Sequence, residues 1–202
     1  MSGWSVTRLG ELDRIPVAEG LEWRPIRGRL GVQSFGINAY TSSHVGGCVV
    51  EEHDEVDGQE ELYLVVSGRA TFTLDGEQLD APAGTAVFLP EGSVKRKAIA
   101  EEEGTTVLAI GGWPDKPFVA SAWEWFFAAY ATDPAAGIAL IEDGIRELGD
   151  LPAFQYHLAC LLVKAERLDE AREHLARALA EKPEWATRLD TDEDLAPLRP
   201  AR

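Results

Sequence analysis

The stretch that decides the fold is GGCVVEEHDEVDGQEELYLVVSG, residues 46–68. Two short apolar runs, CVV and LYLVV, lie between glycines, and a carboxylate-rich segment with one histidine separates them. Short runs rich in Val, Leu and Tyr that Gly and Asp interrupt are typical of antiparallel strands. A histidine among carboxylates also raises the question whether a metal ion binds here.

Similar runs continue on both sides of this stretch. The predicted strands are Gly31–Tyr40, Cys48–His53, Glu61–Val66, Ala70–Leu74, Ala86–Leu89, Val94–Ile99 and Thr105–Ile110. Asp75-Gly76 predicts a two-residue hairpin turn, because both residue types tolerate positive φ. Many short strands separated by turn residues predict an antiparallel sandwich or barrel.

The hydrophobic period changes near Trp123. Trp123, Phe126, Phe127 and Tyr130 follow the i, i+3, i+4, i+7 spacing of one helical face. Further helices are predicted from Asp133-Pro134 to about Leu148, and over Pro152–Ala165 and Leu168–Glu181. The segment GGWPDKPF, residues 111–118, marks the boundary, so we expect a β domain with an N-terminal extension over residues 1–115 and a helical domain over residues 116–202.

The helical half resembles tetratricopeptide repeats, which are helical hairpins of about 34 residues. The small and apolar positions of that repeat hold Leu158, Ala159, Leu162, Ala171, Leu175, Ala178 and Pro183. A degenerate unit precedes it, with Gly137, Ile141 and Gly144 in equivalent places. Because about three repeats are needed for independent stability, we expect the aromatic helix to dock on the β domain or on another subunit.

Charge excludes some classes of partner. The formal net charge is -16, which argues against nucleic acid and anionic membranes. No apolar run reaches the length of a membrane span and the start lacks the apolar core of a signal peptide, so a cytoplasmic protein is expected. Cys48 and Cys160 are the two cysteines, and we expect reduced thiols.

The opening stretch resembles the first motif of the cupin family: Gly, five residues, His-x-His, three or four residues, Glu, six residues, Gly. Gly47, His53, Glu61 and Gly68 match its outer anchors. The second histidine position holds Glu55, and five residues instead of three or four separate it from Glu61.

GTAVFLPEGSVKRKAI, residues 84–99, resembles the second cupin motif: Gly, five residues, Pro-x-Gly, two residues, His, three residues, Asn. Gly84, Pro90 and Gly92 match, whereas Lys95 stands at the histidine position and Ile99 at the asparagine position. The resemblance covers residues 31–110. It implies a β + α protein, with a jelly-roll barrel (a double-stranded β-helix) before the all-α tetratricopeptide-like domain, and a homodimer through the outer strands.

The two changed positions weaken the expectation of a metal. A lysine ammonium has no lone pair and repels a dication, but it attracts a carboxylate. If Lys95 and Glu61 face one interior, the ammonium takes the place of the ion, so no cofactor is expected. The runner-up is a divalent metal (Mn, Fe, Ni or Zn) held by His53, Glu55, Gln59 and Glu61.

Strand alternation extends this interior cluster. Unless a bulge intervenes, the inward side chains are Glu51, His53, Glu61, Tyr63, Lys95 and Lys97. Such a cluster is either a satisfied internal network or a pocket for a small polar or anionic molecule, with the lysines as anchors.

Three functions follow from these alternatives. The first is a cupin with a degenerate metal site that serves as a small-molecule-binding or regulatory module. The second is an enzyme, either a metal-dependent dioxygenase or isomerase or a metal-free isomerase that uses acid and base groups such as His53. The third is an interaction module in which the helical repeats bind a protein partner.

Overall fold

A computed structural model describes residues 5–55 and 58–199. Its contacts divide the chain into two compact units, Met1–Val119 and Ala120–Arg202. The first is built mainly from strands and the second from helices. Asp57, an acidic residue of the opening stretch, lies outside the described residues.

The first unit is a sandwich of two antiparallel sheets. The strands described are β1 (Ile15–Ala18), β2 (Leu21–Arg24), β3 (Gly36–Ser42), β4 (Cys48–His53), β5 (Glu60–Ser67), β6 (Arg69–Leu74), β7 (Glu77–Pro82), β8 (Ala86–Leu89), β9 (Arg96–Ala100) and β10 (Thr106–Gly112). One sheet has the order β1-β2-β3-β10-β5-β8 and the other the order β4-β9-β6-β7. Strands β1 and β2 were not among those predicted.

The predicted strand Gly31–Tyr40 is wrong at its start. A short helix, α1 (Ile26–Leu30), precedes Gly31, which adopts a left-handed conformation with φ 69°. The Gly31 N–H bonds the Arg27 carbonyl oxygen at 2.9 Å. This is the usual way in which a glycine ends a helix, and β3 therefore begins later.

The predicted hairpin turn between β6 and β7 is confirmed. Asp75 and Gly76 have φ values of 47° and 90°, and Leu74 pairs with Glu77 across the turn. The turn also fixes the start of β9: the Asp75 N–H donates to the Lys95 carbonyl oxygen at 2.8 Å, and the Lys95 N–H donates to Asp75 Oδ1 at 2.9 Å.

The core of the sandwich lies between the two sheets. On β5, Glu61, Tyr63 and Val65 are buried, while Leu62 and Leu64 on the other face are only partly buried. The apolar core comprises Val49, Val50, Tyr63, Val65, Ala70, Phe72, Ala81, Val87, Leu89, Ala98, Ala100 and Val107. A carboxylate at Glu61 is therefore placed at the edge of an apolar interior.

The second unit contains α2 (Ala122–Tyr130), α3 (Pro134–Leu148), α4 (Pro152–Lys164) and α5 (Leu168–Glu181), followed by 3-10 turns over Pro183–Asp190 and Glu193–Leu198. The predicted start of α3 is confirmed, since Asp133 Oδ1 accepts from the N–H groups of Ala135 and Ala136. Pro183 is exposed, and the other positions assigned to repeats from the sequence are buried: Gly137, Ile141, Gly144, Leu158, Ala159, Leu162, Ala171, Leu175 and Ala178. Among the described residues, no helix combines the length and hydropathy of a membrane span.

Candidate functional site

An ion pair bridges the two sheets of the sandwich. Glu61 lies on β5 and Arg96 on β9, and Arg96 has no exposed surface. Arg96 Nε donates to Glu61 Oε2 at 3.0 Å, and Arg96 Nη2 donates to the same oxygen. Charge-assisted contacts of this kind are stronger than hydrogen bonds between neutral groups.

The remaining arm of the Arg96 guanidinium is held by backbone. Its Nη1 donates to the carbonyl oxygens of Gly92 at 2.7 Å and Val94 at 2.9 Å. Both acceptors lie in the turn that leads into β9. The guanidinium is thus fixed on two sides, by a carboxylate and by this turn.

Tyr63 completes the buried network. Its hydroxyl donates to Glu61 Oε2 at 2.6 Å. Burial, followed by the neighbouring Glu61 charge, raises the pKa of Tyr63, so the phenol keeps its proton. Burial alone would raise the pKa of Glu61, but the nearby His53 and the hydrogen bonds from Tyr63 and Arg96 outweigh it and the pKa is lowered.

His53 lies where this network approaches the surface. Its side chain is 34% exposed, and Nε2 is 3.8 Å from Glu61 Oε2. Nδ1 is 2.8 Å from the Glu51 carbonyl oxygen, which can only accept, so Nδ1 carries a hydrogen. The nearby Glu61 carboxylate raises the pKa of His53 against the opposing effect of burial.

Glu55 joins the same end of the sandwich. Ligand atoms of His53, Glu55 and Glu61 all lie within 4.8 Å of one another. The Glu55 N–H donates to the Gly92 carbonyl oxygen at 2.7 Å. A Cβ at Gly92 would overlap the Glu55 carbonyl oxygen, so the glycine of the second motif permits this close approach.

Gln59 is positioned over β10. Its side-chain amide occupies the space that a Cβ at Gly111 would need. Gly111 pairs directly with Glu61, and directly opposite residues of antiparallel strands share a face of the sheet. The Gln59 side chain therefore lies on the face of the sheet that carries Glu61.

The expected inward orientation of Lys95, Lys97 and Glu51 is wrong. Lys95 is 59% exposed and its Nζ bonds Glu52 Oε1 at 2.5 Å, while Lys97 Nζ lies 3.3 Å from Glu52 Oε2. Glu51 is exposed as well. For Glu51 the reason is an irregular pairing of β4 with β9 between Val50 and His53, which breaks the alternation from His53. For the lysines the motif position is one residue out of step, because β9 turns Arg96 inward.

Arg96 is the site residue that sequence reasoning missed. On β9 the inward side chains are Arg96, Ala98 and Ala100, one residue out of step with the predicted set. The cost of burying charge could have identified Arg96 as the inward residue. Facing Lys95 and Lys97 inward buries two charges, whereas the opposite alternation buries only the charge of Arg96.

The outward lysines border a shallow open depression of about 280 Å³. Thr73, Gly76 and Glu52 also line it. Because Glu52 contacts both lysines, their charge is already compensated. The depression therefore presents no free cationic anchor for an anion.

The residues present do not fit a resident dication beside Glu61. Glu61 Oε2 already accepts from Tyr63 and twice from Arg96. At an effective dielectric constant of about 20, two unit charges about 4 Å apart repel by about 4 kcal/mol, and a dication doubles this. Since arginine does not lose its proton in proteins, the repulsion persists at all ordinary pH values.

A second group of metal-ligating types lies in the helical unit: Cys160, Asp192 and Asp194. Its carboxylates are already engaged, by the Tyr156 hydroxyl at 2.8 Å from Asp192 Oδ2 and by Lys164 Nζ at 2.9 Å from Asp194 Oδ2. Burial raises the pKa of Cys160 to about 12. The thiol is thus protonated, and the group links α4 to the C-terminal turns.

The chain matches no family model and no curated protein. Its β-sandwich is similar to solved cupin structures. KdgF from Halomonas sp. is 17% identical over 55% of this chain and 93% of its own, with a TM-score of 0.44. A cupin protein from Bacteroides fragilis is 18% identical over 60% and 93%, with a TM-score of 0.45. A sugar phosphate isomerase from a cupin superfamily, from Silicibacter pomeroyi, is 17% identical over 53% and 74%, with a TM-score of 0.46. At these identities the likeness concerns the fold alone and assigns no activity.

Proposed function

We propose that this chain is a cupin-family protein whose β-sandwich binds a small polar molecule without a metal ion. The observation that carries the proposal is the fully buried Arg96, which neutralises Glu61 where a metal ligand is expected. Beside this pair, His53 and Glu55 remain partly exposed. They supply hydrogen-bonding groups at the entrance to an apolar core.

The charges at this entrance favour a neutral, hydroxyl-bearing ligand. The charges of Glu61 and Arg96 cancel, and His53 contributes a positive charge only when it is protonated. A hydroxyl group can donate to a carboxylate or to the Nε2 lone pair of neutral His53, and it can accept from Nε2–H when the ring is protonated. An organic anion would bind less well, because Lys95 and Lys97, which could pair with it, contact Glu52 on the outer face.

For the helical unit we propose two degenerate tetratricopeptide-like hairpins, α2–α3 and α4–α5, that act as a packing or partner-docking platform. The support is the burial of the small residues at equivalent positions, such as Gly137 and Ala171, or Gly144 and Ala178. Small residues there let adjacent helices approach closely. Two hairpins offer a limited groove, so the role remains secondary to ligand binding.

Calorimetric titration with neutral polyols and with small carboxylic acids tests the ligand-binding proposal. We expect a neutral polyol to bind the native protein, and the His53→Gln and Glu55→Gln variants to bind it at least about tenfold more weakly, the loss of about 1.4 kcal/mol. Lys95→Gln is the matched control, because this polar side chain lies on the outer face, and it should leave the affinity unchanged. Binding that depends on Lys95 but not on His53 would contradict the proposal.

A second candidate is a metal-free isomerase, favoured by the position of His53. With Nδ1 held by the Glu51 carbonyl and Nε2 directed toward Glu61, the imidazole can accept or donate a proton at Nε2. Its test is solvent-deuterium incorporation into a bound hydroxycarbonyl compound. Incorporation that disappears in His53→Gln supports an enzyme, and binding without incorporation supports the binding module alone.

A further inference from the structure

We infer that the Arg96 guanidinium takes the place of a divalent ion in the β-sandwich. This single side chain prevents His53, Glu55 and Glu61 from binding a metal ion. The inference rests on the proposed metal-free function. It goes further, because it assigns the exclusion of metal to one residue and predicts what its removal produces.

The first argument is the occupation of Glu61 by donors. Oε2 accepts from Tyr63 Oη at 2.6 Å, from Arg96 Nε at 3.0 Å and from Arg96 Nη2. A carboxylate oxygen offers about two lone-pair directions. A metal ion must therefore displace the guanidinium before it can use this oxygen.

The second argument is that backbone hydrogen bonds hold the guanidinium in its position beside Glu61. Its Nη1 donates to the Gly92 and Val94 carbonyl oxygens, so rotation away from Glu61 would leave these buried acceptors without their donor. Its charge is also permanent, unlike that of an ammonium, which loses its proton more readily when buried. Arg96 thus closes the site more firmly than the predicted Lys95 would have done.

The third argument concerns what remains once the guanidinium is removed. His53 Nδ1 donates to the Glu51 carbonyl, so the neutral ring presents the Nε2 lone pair, in the way that metal-bound histidines are commonly oriented. Ligand atoms of His53, Glu55 and Glu61 already lie within 4.8 Å of one another. Bonds of about 2.0 to 2.2 Å to a tetrahedral zinc ion place ligand atoms about 3.3 to 3.6 Å apart, so these side chains must close on the ion by up to about 1.5 Å.

The test is a titration of the full-length protein with Co²⁺, followed by visible absorption, and with Zn²⁺, followed by calorimetry. Arg96→Met removes the charge and the donors while keeping an unbranched side chain. We expect this variant to bind one ion per chain, more than about tenfold more tightly than the native protein. The double variant with His53→Gln should lose that site.

Arg96→Lys is the matched control, because it keeps a cation beside Glu61, and it should bind no ion at this site. A folded Arg96→Met protein that binds none would overturn the inference. One arm does not depend on any Arg96 variant: a metal site in the native protein that disappears in His53→Gln overturns the inference as well. Failure of polyol binding alone counts against the proposed function and leaves this inference standing.

Discussion

Arg96 and Glu61 join the two sheets of the sandwich through a buried ion pair, with Arg96 Nε 3.0 Å from Glu61 Oε2. Arg96 comes from β9 of the four-stranded sheet and Glu61 from β5 of the six-stranded sheet. A buried pair contributes little net stability when its desolvation is counted, but removal of one partner leaves an uncompensated charge. The pair therefore specifies how the sheets face each other more than it stabilises them.

The first prediction follows from this asymmetry. Arg96→Met should lower the free energy of unfolding by about 3 to 5 kcal/mol, because Glu61 is left buried without its cation. The double variant Arg96→Met/Glu61→Leu should recover much of the loss. Urea denaturation measures both, with Lys95→Met as the exposed control that changes little. A double variant no more stable than Arg96→Met would contradict this reason, because the loss would then not come from the unpaired Glu61.

The second prediction concerns the Tyr63 hydroxyl. Tyr63→Phe keeps the ring against Phe72, whose centroid is 5.7 Å away, but removes a 2.6 Å donor to Glu61. We expect a loss of about 1 to 3 kcal/mol in the free energy of unfolding. The loss should shrink when Glu61 is already replaced by Gln, and equal losses in both backgrounds would mean that the hydroxyl acts independently of the carboxylate.

The third prediction concerns pH. The pKa of His53 is raised, first by the Glu61 carboxylate beside its Nε2. A raised folded pKa stabilises the fold below the unfolded value of about 6.5, and this contribution is lost as pH rises through the folded pKa. The stability advantage of native protein over His53→Gln should therefore be largest below about pH 6 and decline above about pH 6.5.

His157 provides the contrasting control for that measurement. Burial lowers its pKa to about 4, so the native protein should lose stability relative to His157→Gln as pH falls from about 6.5 toward 4. The two histidines thus predict opposite slopes. Slopes of the same sign would contradict the assigned environment of one of them.

Local sequence signals predicted much of the fold. The composition of the site depended on which of two adjacent residues, Lys95 or Arg96, faces inward. Asp75-Gly76 adopts the positive φ values of a hairpin turn, and Asp133-Pro134 caps and begins a helix. Both depend on neighbouring residues only, so the hairpin and the start of α3 were predictable. The choice between Lys95 and Arg96 as the inward residue depended on the register of β9 against β6 and β4. That pairing is formed by residues far apart in the sequence, and the motif spacing alone favoured the wrong neighbour.

The last prediction tests the close approach of helices in the second unit. Alanine is favoured over glycine inside a helix by about 1 kcal/mol, yet a Cβ at Gly137 of α3 would lie 2.6 Å from the Ala129 carbonyl oxygen of α2. Because backbone cannot yield as a flexible side chain can, Gly137→Ala should lower the free energy of unfolding by about 1 to 3 kcal/mol. Gly28→Ala in α1 is the matched control, since no atom lies within 4 Å of its added Cβ, and it should be neutral or slightly stabilising. Thermal unfolding followed by circular dichroism compares the two, and a Gly137→Ala protein as stable as Gly28→Ala would mean that α2 and α3 are not packed at this distance.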